Sequence, residues 1–404
     1  MSGPCSYDRP RRIRRGAALT LVFASMLATG AATGIWSDGA EGAESRPAGS
    51  PIAAGHAPAA RTADREAVER AASQAIEDGK SGSKAAADVV SRSGDRWSTV
   101  YTAGEFEDFQ QQLDGAYVGV GLWVRQADGG RIAVSRVQPG SPAARAGIAV
   151  GDRLRAIDGR ASQGRPVTEI VGRLRGVPQG ARGPAAGAGT PVELDLQRGD
   201  RRWTTTLHRT RLSTQNVTVD RVGGRHGLTR IKITAFAKGT GAEVRRAVRD
   251  ASPHGGLLLD LRGNTGGLVT EAVATASAFL DGGLVATYDV DGSQRALYAE
   301  GHGDTRIPLV VLVDGGTMSA GELLAGALQD RGRAIVVGSP TFGKGSVQMP
   351  TELPDGSVAE LTVGHYRTPS GRAVDGHGIT PDLIVDGGAE KRARTVLSGL
   401  GTGA

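Results

Sequence analysis

Two short runs with almost no polar alternation, Leu257-Leu258-Leu259-Asp260-Leu261 and Leu309-Val310-Val311-Leu312-Val313, constrain this chain more than any other feature. A strand with one wet face alternates apolar and polar residues, whereas a strand apolar at nearly every position must be covered on both faces. Around these runs, strand-like and helical segments alternate from about Leu212 onward. RIKITAF leads to a helix over TGAEVRRAVRDA, then LLLDL to a helix over TEAVATASAFLDG; LVATYDV and LVVLV precede a helix over SAGELLAGALQD, and AIVVGSP closes the series. The pattern predicts an α/β domain with buried strands. At 404 residues the chain has room for two or three domains, so the fold class expected is multi-domain α/β.

The single cysteine, Cys5, precedes any foldable segment, which excludes an internal disulfide and a structural zinc site of cysteines. The net charge of +6 would suit a nucleic-acid partner, but RPRRIRR at 9–15 supplies five of the arginines and stands directly before the uncharged stretch 16–36. Positive residues followed by an apolar run of about bilayer length predict a secretory signal or membrane anchor over 1–36, an extracytoplasmic location and no nucleic-acid partner. Residues 37–61 are small, polar and proline-bearing, a linker. Helical spacing over 62–114 predicts one helix capped at Thr62 and another carrying Phe106, Phe109 and Leu113 on one face.

Around Tyr117 the period shifts to that of strands. YVGVGLWV, RIAVSRV, GDRLRAIDG, VELDLQRG and RWTTTLHRT are separated by Gly, Pro and Asp turns, with one helix at VTEIVGRLRG. Gly119-Val120-Gly121 together with GSPAARAG, GDRL and IDG resembles a PDZ domain of the bacterial protease type, over 115–211 and of partly open barrel form. That resemblance implies that Gly119, Val120 and Gly121 receive a substrate's C-terminal carboxylate on their amides while the peptide adds as a strand. The stretch 176–189 is longer than the usual turn of such domains.

Three loops follow the α/β strands: DLRGNTGGL, DGGTMSAGE and SPTFGKGSVQ. The last looks like a phosphate loop, but Gly345 replaces the hydroxyl residue after Lys344, and the following residues alternate as a hairpin through Pro354-Asp355-Gly356. Nucleotide hydrolysis is therefore disfavoured. Gly263 to Gly267 echoes the nucleophile loop of trypsin-like secreted proteases, with Thr265 in the nucleophile position and no His-Asp pair upstream. Ser319 starts a helix behind a glycine-rich turn and needs a base; the seven histidines fall in no triad context. A buried lysine serves if its pKa falls toward 7 to 8. Taken singly, Ser319 reads as a helix cap, Lys344 as a loop charge and Gln348 as a strand residue.

Together, Ser319 in GTMSAGE, Lys344 25 residues on in TFGKGSVQ, and Gln348 resemble the C-terminal processing peptidase family, Ser-Lys serine proteases with a PDZ domain. The likeness covers about 62–386. It implies Ser319 as nucleophile, Lys344 as general base, Gln348 as the group that orients the lysine, and an oxyanion hole of the Ala320, Gly266 and Gly267 amides. It further implies an α/β spiral core of the ClpP/crotonase kind over 212–386, a C-terminal tail over 387–404, protein C-termini as partners and no metal or other cofactor. Met318 and Thr265 depart from the family pattern without removing a catalytic side chain. The competing reading is a non-catalytic PDZ adaptor that binds C-termini.

Overall fold

The computed structural model describes residues 20–21, 62–176, 186–222, 227–252, 255–290 and 293–401. Apart from Thr20–Leu21, the expected leader and linker lie outside these residues, as does most of the long turn after Gly176. Among the described residues no helix is long and apolar enough to cross a membrane.

The α/β core is a six-stranded sheet in the order Val217–Val222, Leu228–Ile233, Leu257–Asp260, Leu309–Val313, Ile335–Gly338, Leu383–Ile384. All neighbours are parallel except the first pair. The missing alternation in the two apolar runs is explained by two cores, one on each face. Leu257, Leu259, Leu309, Val311 and Val313 point into the larger core, with Phe236, Phe279 and the buried helix Ala320–Asp330. Leu258, Val310 and Leu312 point into the smaller one, against Ala393 and Leu397. Those last two belong to the helix Ala389–Gly401, so the stretch expected as a tail instead covers one face of the sheet. Its signal was the spacing of Ala393 and Leu397, one helical turn apart.

A second sheet carries a long hairpin, Ser346–Glu352 paired antiparallel with Val358–Arg367, as the alternation after Gly345 predicts. Thr99–Tyr101 pairs along the second strand of the hairpin. The N-terminal helices pack onto the same hairpin: Val68 and Ala72 of Arg65–Glu77, with Ala86 and Val90 of Gly82–Ser93, bury Leu353, Ala359 and Leu361. Two local expectations are corrected. Asp64 rather than Thr62 caps the first helix, its carboxylate accepting from the Glu66 amide, and Gly82–Ser93 is an additional helix, capped by Ser81.

The segment expected as a PDZ domain has its own core of Ile132, Leu154, Leu194, Leu196 and neighbours. Its strands run Leu122–Ala127, Arg131–Val137, Arg153–Ile157, Pro191–Arg198, Arg201–His208 in one linear path, flanked by the helix Val167–Arg175. YVGVGLWV is two strands, because the chain turns at Gly121, where φ is +81°. Ala116–Gly119 pairs instead with Thr210–Ser213 as a separate two-stranded sheet.

Candidate active site

The loops that carry the chemistry leave the carboxyl ends of three adjacent parallel strands, Leu257–Asp260, Leu309–Val313 and Ile335–Gly338, where open α/β sheets place their sites. The first loop is pinned at both ends. Asp260 is fully buried and held by a two-pronged pair with Arg262, at 2.8 and 2.7 Å. Asn264 donates to the Ile233 carbonyl at 2.9 Å, and its own carbonyl accepts from the Met318 amide at 2.9 Å, which ties this loop to the next.

Ser319 stands at φ +53°, an uncommon conformation for a residue with a side chain, immediately before the helix Ala320–Asp330. The Tyr366 hydroxyl donates to its carbonyl at 2.9 Å and the Glu322 carboxylate accepts from its amide at 2.8 Å, so both sides of the strained residue are held. Its Oγ is buried and makes no hydrogen bond among the described residues. A hydroxyl left unpartnered at a helix N-terminus, where the amides carry partial positive charge, is open to a ligand or a proton acceptor.

Glu322 also joins the serine to the lysine. Its Oε2 accepts from the Ser319 amide at 2.8 Å and the Lys344 amide at 2.9 Å, so those two nitrogens lie no further apart than the sum of the distances. Its Oε1 accepts from the Gly343 amide at 2.6 Å and the Thr341 hydroxyl at 2.5 Å. Burial pushes this carboxyl up, and the four donors oppose the shift.

Lys344 is 2% exposed, and burial lowers its pKa to about 8 against the pull of Glu360, Asp95, Asp375 and Glu322. A drop of that size corresponds to roughly 3 kcal/mol in favour of the neutral amine. The Trp97 ring lies 5.1 Å from its Nζ and meets Phe342 edge-on at 5.8 Å. Gln348 donates to the Ser346 hydroxyl at 2.9 Å and the Thr362 hydroxyl at 3.3 Å, while its Oε1 is buried without a partner among the described residues.

The three amides expected as oxyanion donors divide. Ala320 is the first helical residue, whose amide has no intrahelical acceptor. Gly266 lies against Ser319 and Ala320, but its amide donates to the Asn264 side chain at 2.9 Å. This leaves Gly267 as the donor of the pair to consider, at φ +130° with the Phe236 carbonyl 2.4 Å from where a Cβ would stand. Thr20–Leu21 pairs antiparallel with Gly267–Leu268, and Thr20 with Gln348, which marks a slot wide enough for one extended strand between the two.

In the small β domain, Gly119, Val120 and Gly121 border a cavity of about 240 Å³ together with Tyr117, Leu122 and Leu174. Gly121 is required there, because any Cβ would meet that of Ser141 at 2.2 Å. The strand Leu122–Ala127 is the edge of its sheet.

The family model for peptidase family S41 matches residues 227–385, and that for the PDZ domain matches 133–182. A carboxy-terminal-processing protease of Bartonella bacilliformis is 33% identical over 303 residues, which cover 72% of this chain and 67% of that protein. The chain belongs to peptidase family S41. The chloroplastic carboxyl-terminal-processing peptidase 3 of Arabidopsis thaliana is 35% identical over 313 residues, covering 73% of this chain and 58% of that protein. Among solved structures, the photosystem II D1 C-terminal processing protease is similar at 28% identity with a TM-score of 0.46, covering 76% of this chain and 82% of that one. The matched region spans about three fifths of the first curated relatives.

For this S41 chain the structure gathers Ser319, Lys344 and the Gly266-Gly267 loop around one helix end through Glu322 and Asn264. Sequence reasoning missed Glu322, Trp97, Asp95 and Glu360. Only the first had a local signal, the Ser-x-x-Glu spacing of a capping box. One substitution tests the hole: Gly267→Ala is expected to lower kcat by about a hundredfold in single-turnover assays, the usual effect of displacing one oxyanion donor.

Proposed function

We propose that the chain is a serine endopeptidase that captures unstructured protein C-termini through its PDZ domain and cleaves through an acyl-enzyme. One observation carries this reading: a buried, unpartnered Ser319 hydroxyl at a helix N-terminus, bound through one carboxylate to the loop of a buried lysine of depressed pKa. In the mechanism, Ser319 Oγ attacks the scissile carbonyl carbon as its proton passes to neutral Lys344. The oxyanion that forms is met by the amides of Ala320 and Gly267. Lys344 then gives its proton to the leaving amine, and afterwards takes one from the water that releases the acyl group. The unpartnered Gln348 Oε1 is suited to accept a hydrogen bond from the lysine and hold its lone pair on the serine.

The substrate enters as an extended strand. The slot between Gly267–Leu268 and Gln348 supports this, and the free edge at Leu122–Ala127 beside the 240 Å³ cavity supports capture of the C-terminus as an added strand. The family likeness favours a spiral arrangement of the core, and the arginines before residues 16–36 favour action outside the cytoplasm. A serine-directed acylating probe tests the chemistry. Mass spectrometry is expected to place the adduct on Ser319 and to find none in Lys344→Ala. An unmodified Ser319 in the folded protein would leave only the adaptor reading.

A further inference from the structure

Four carboxyls from four elements face Lys344: Glu322 from the helix behind Ser319, Asp95 from the turn before Thr99–Tyr101, Asp375 from the loop after the hairpin, and Glu360 from the hairpin itself. Three of them are occupied. Glu322 takes its four donors. Asp95 accepts from the amides of Ala63, Trp97 and Ser98 and the hydroxyls of Ser98 and Thr362. Asp375 accepts from the Gly345 amide at 3.2 Å. Glu360 is different. It is 1% exposed, and its Oε2 is buried with no hydrogen-bond partner among the described residues.

Its place explains what it can reach. Glu360 lies two residues before Thr362 and therefore on the same face of its strand. The Thr362 hydroxyl touches both Gln348 and Asp95, so this face is the wall of the lysine pocket. Thr99 and Pro350 flank Glu360 on the neighbouring strands, and Glu360 itself is almost wholly buried. A carboxylate oxygen without a partner in so dry a site, with Lys344 the one cation acting on it among the described residues, is costly as a purely structural device.

We propose that Glu360 is a positioning residue for the general base: its charge steadies the ammonium formed when Ser319 hands over its proton, and it sets how acidic the medium becomes before the base is lost. The inference rests on the Ser-Lys reading above. Glu360 forms and breaks no bond; the proton goes from Ser319 Oγ to Lys344 Nζ and on to the leaving amine. Burial raises Glu360 to about 7, opposed by Lys344, and Glu360 is the strongest of the four carboxyls acting on the lysine. The other titratable group facing Glu360, the buried Tyr101 hydroxyl, is pushed above its usual range and stays neutral. The two groups therefore titrate as a pair.

The sign follows from the charge. Glu360→Gln removes the anion that favours ammonium, so Lys344 is deprotonated at lower pH. With the full chain and an unstructured peptide reporter, the acid limb of kcat/KM is expected to move down by on the order of one pH unit. On that limb the variant reaches roughly a tenfold larger fraction of its own plateau than the parent does. Glu360→Asp, which keeps the charge, is expected to keep the parental limb. A Glu360→Gln limb that stays in place or moves up overturns the proposal, even if activity falls at every pH, since that is what lost packing alone does. Should Glu360→Gln fail to fold, the Lys344 ε-carbon resonance of the Ser319→Ala protein is followed with pH: two inflections are expected, and a single one overturns the pairing. Continued cleavage by Lys344→Ala would refute the Ser-Lys reading itself, an outcome separate from an unmoved limb.

Discussion

Lys344→Ala is expected to lower kcat/KM by four orders of magnitude or more, and Ser319→Ala to do the same, with the double variant no worse than either. Groups that act as one unit lose nearly everything with the first deletion. On the proposed mechanism the same lysine sets the pH profile of the parent. Only the neutral amine accepts the serine proton, so with Lys344 at about 8, kcat/KM is expected to climb close to tenfold per unit below pH 8 and to level off above it. A flat profile between pH 6 and 9, or substantial cleavage by Lys344→Ala, would rule out the lysine as base. The cooperative melting transition should survive both substitutions, because removing a buried amine relieves desolvation and Ser319 Oγ makes no hydrogen bond.

Glu322→Gln is expected to be nearly as damaging by another route. The glutamate accepts from four donors, two on each oxygen. An amide group replaces one of those oxygens with a donor, so two buried donors lose their acceptor. At about 1–3 kcal/mol for each, stability should fall by roughly 2–6 kcal/mol, read as a lower denaturation midpoint. Turnover should fall by about a thousandfold, since the strained Ser319 and the Lys344 backbone are no longer held in register. Normal turnover with lowered stability would mean that Glu322 braces the fold without positioning the chemistry.

The legible parts of this molecule are local. LLLDL and LVVLV predict a doubly covered sheet, and the two cores on the faces of Leu257–Asp260 and Leu309–Val313 account for both runs. The positions of Ser319 and Lys344 follow from loops that leave neighbouring strands. What surrounds the lysine was not legible, because it is assembled from distant parts of the chain. Asp95 meets Thr362 across 267 residues, and Ser98 meets the Thr362 amide across 264. No spacing rule links an acidic turn in the N-terminal segment to a hairpin near the end of the core. Equally out of reach of the sequence is the partner of the Gly266 amide, which donates to the side chain of Asn264 two residues away.

The Asp95 turn has a consequence for when the proposed Ser-Lys site becomes competent. The lysine pocket is roofed by residues 95–98 and walled by residues 360–362, so the base is desolvated only after both have met. A chain still emerging from the ribosome, or one arrested halfway through folding, holds a hydrated and fully charged lysine that takes no proton from serine. Completion of the fold is thus itself the safety catch. A site built in this way stays without its proposed base until the chain has finished folding.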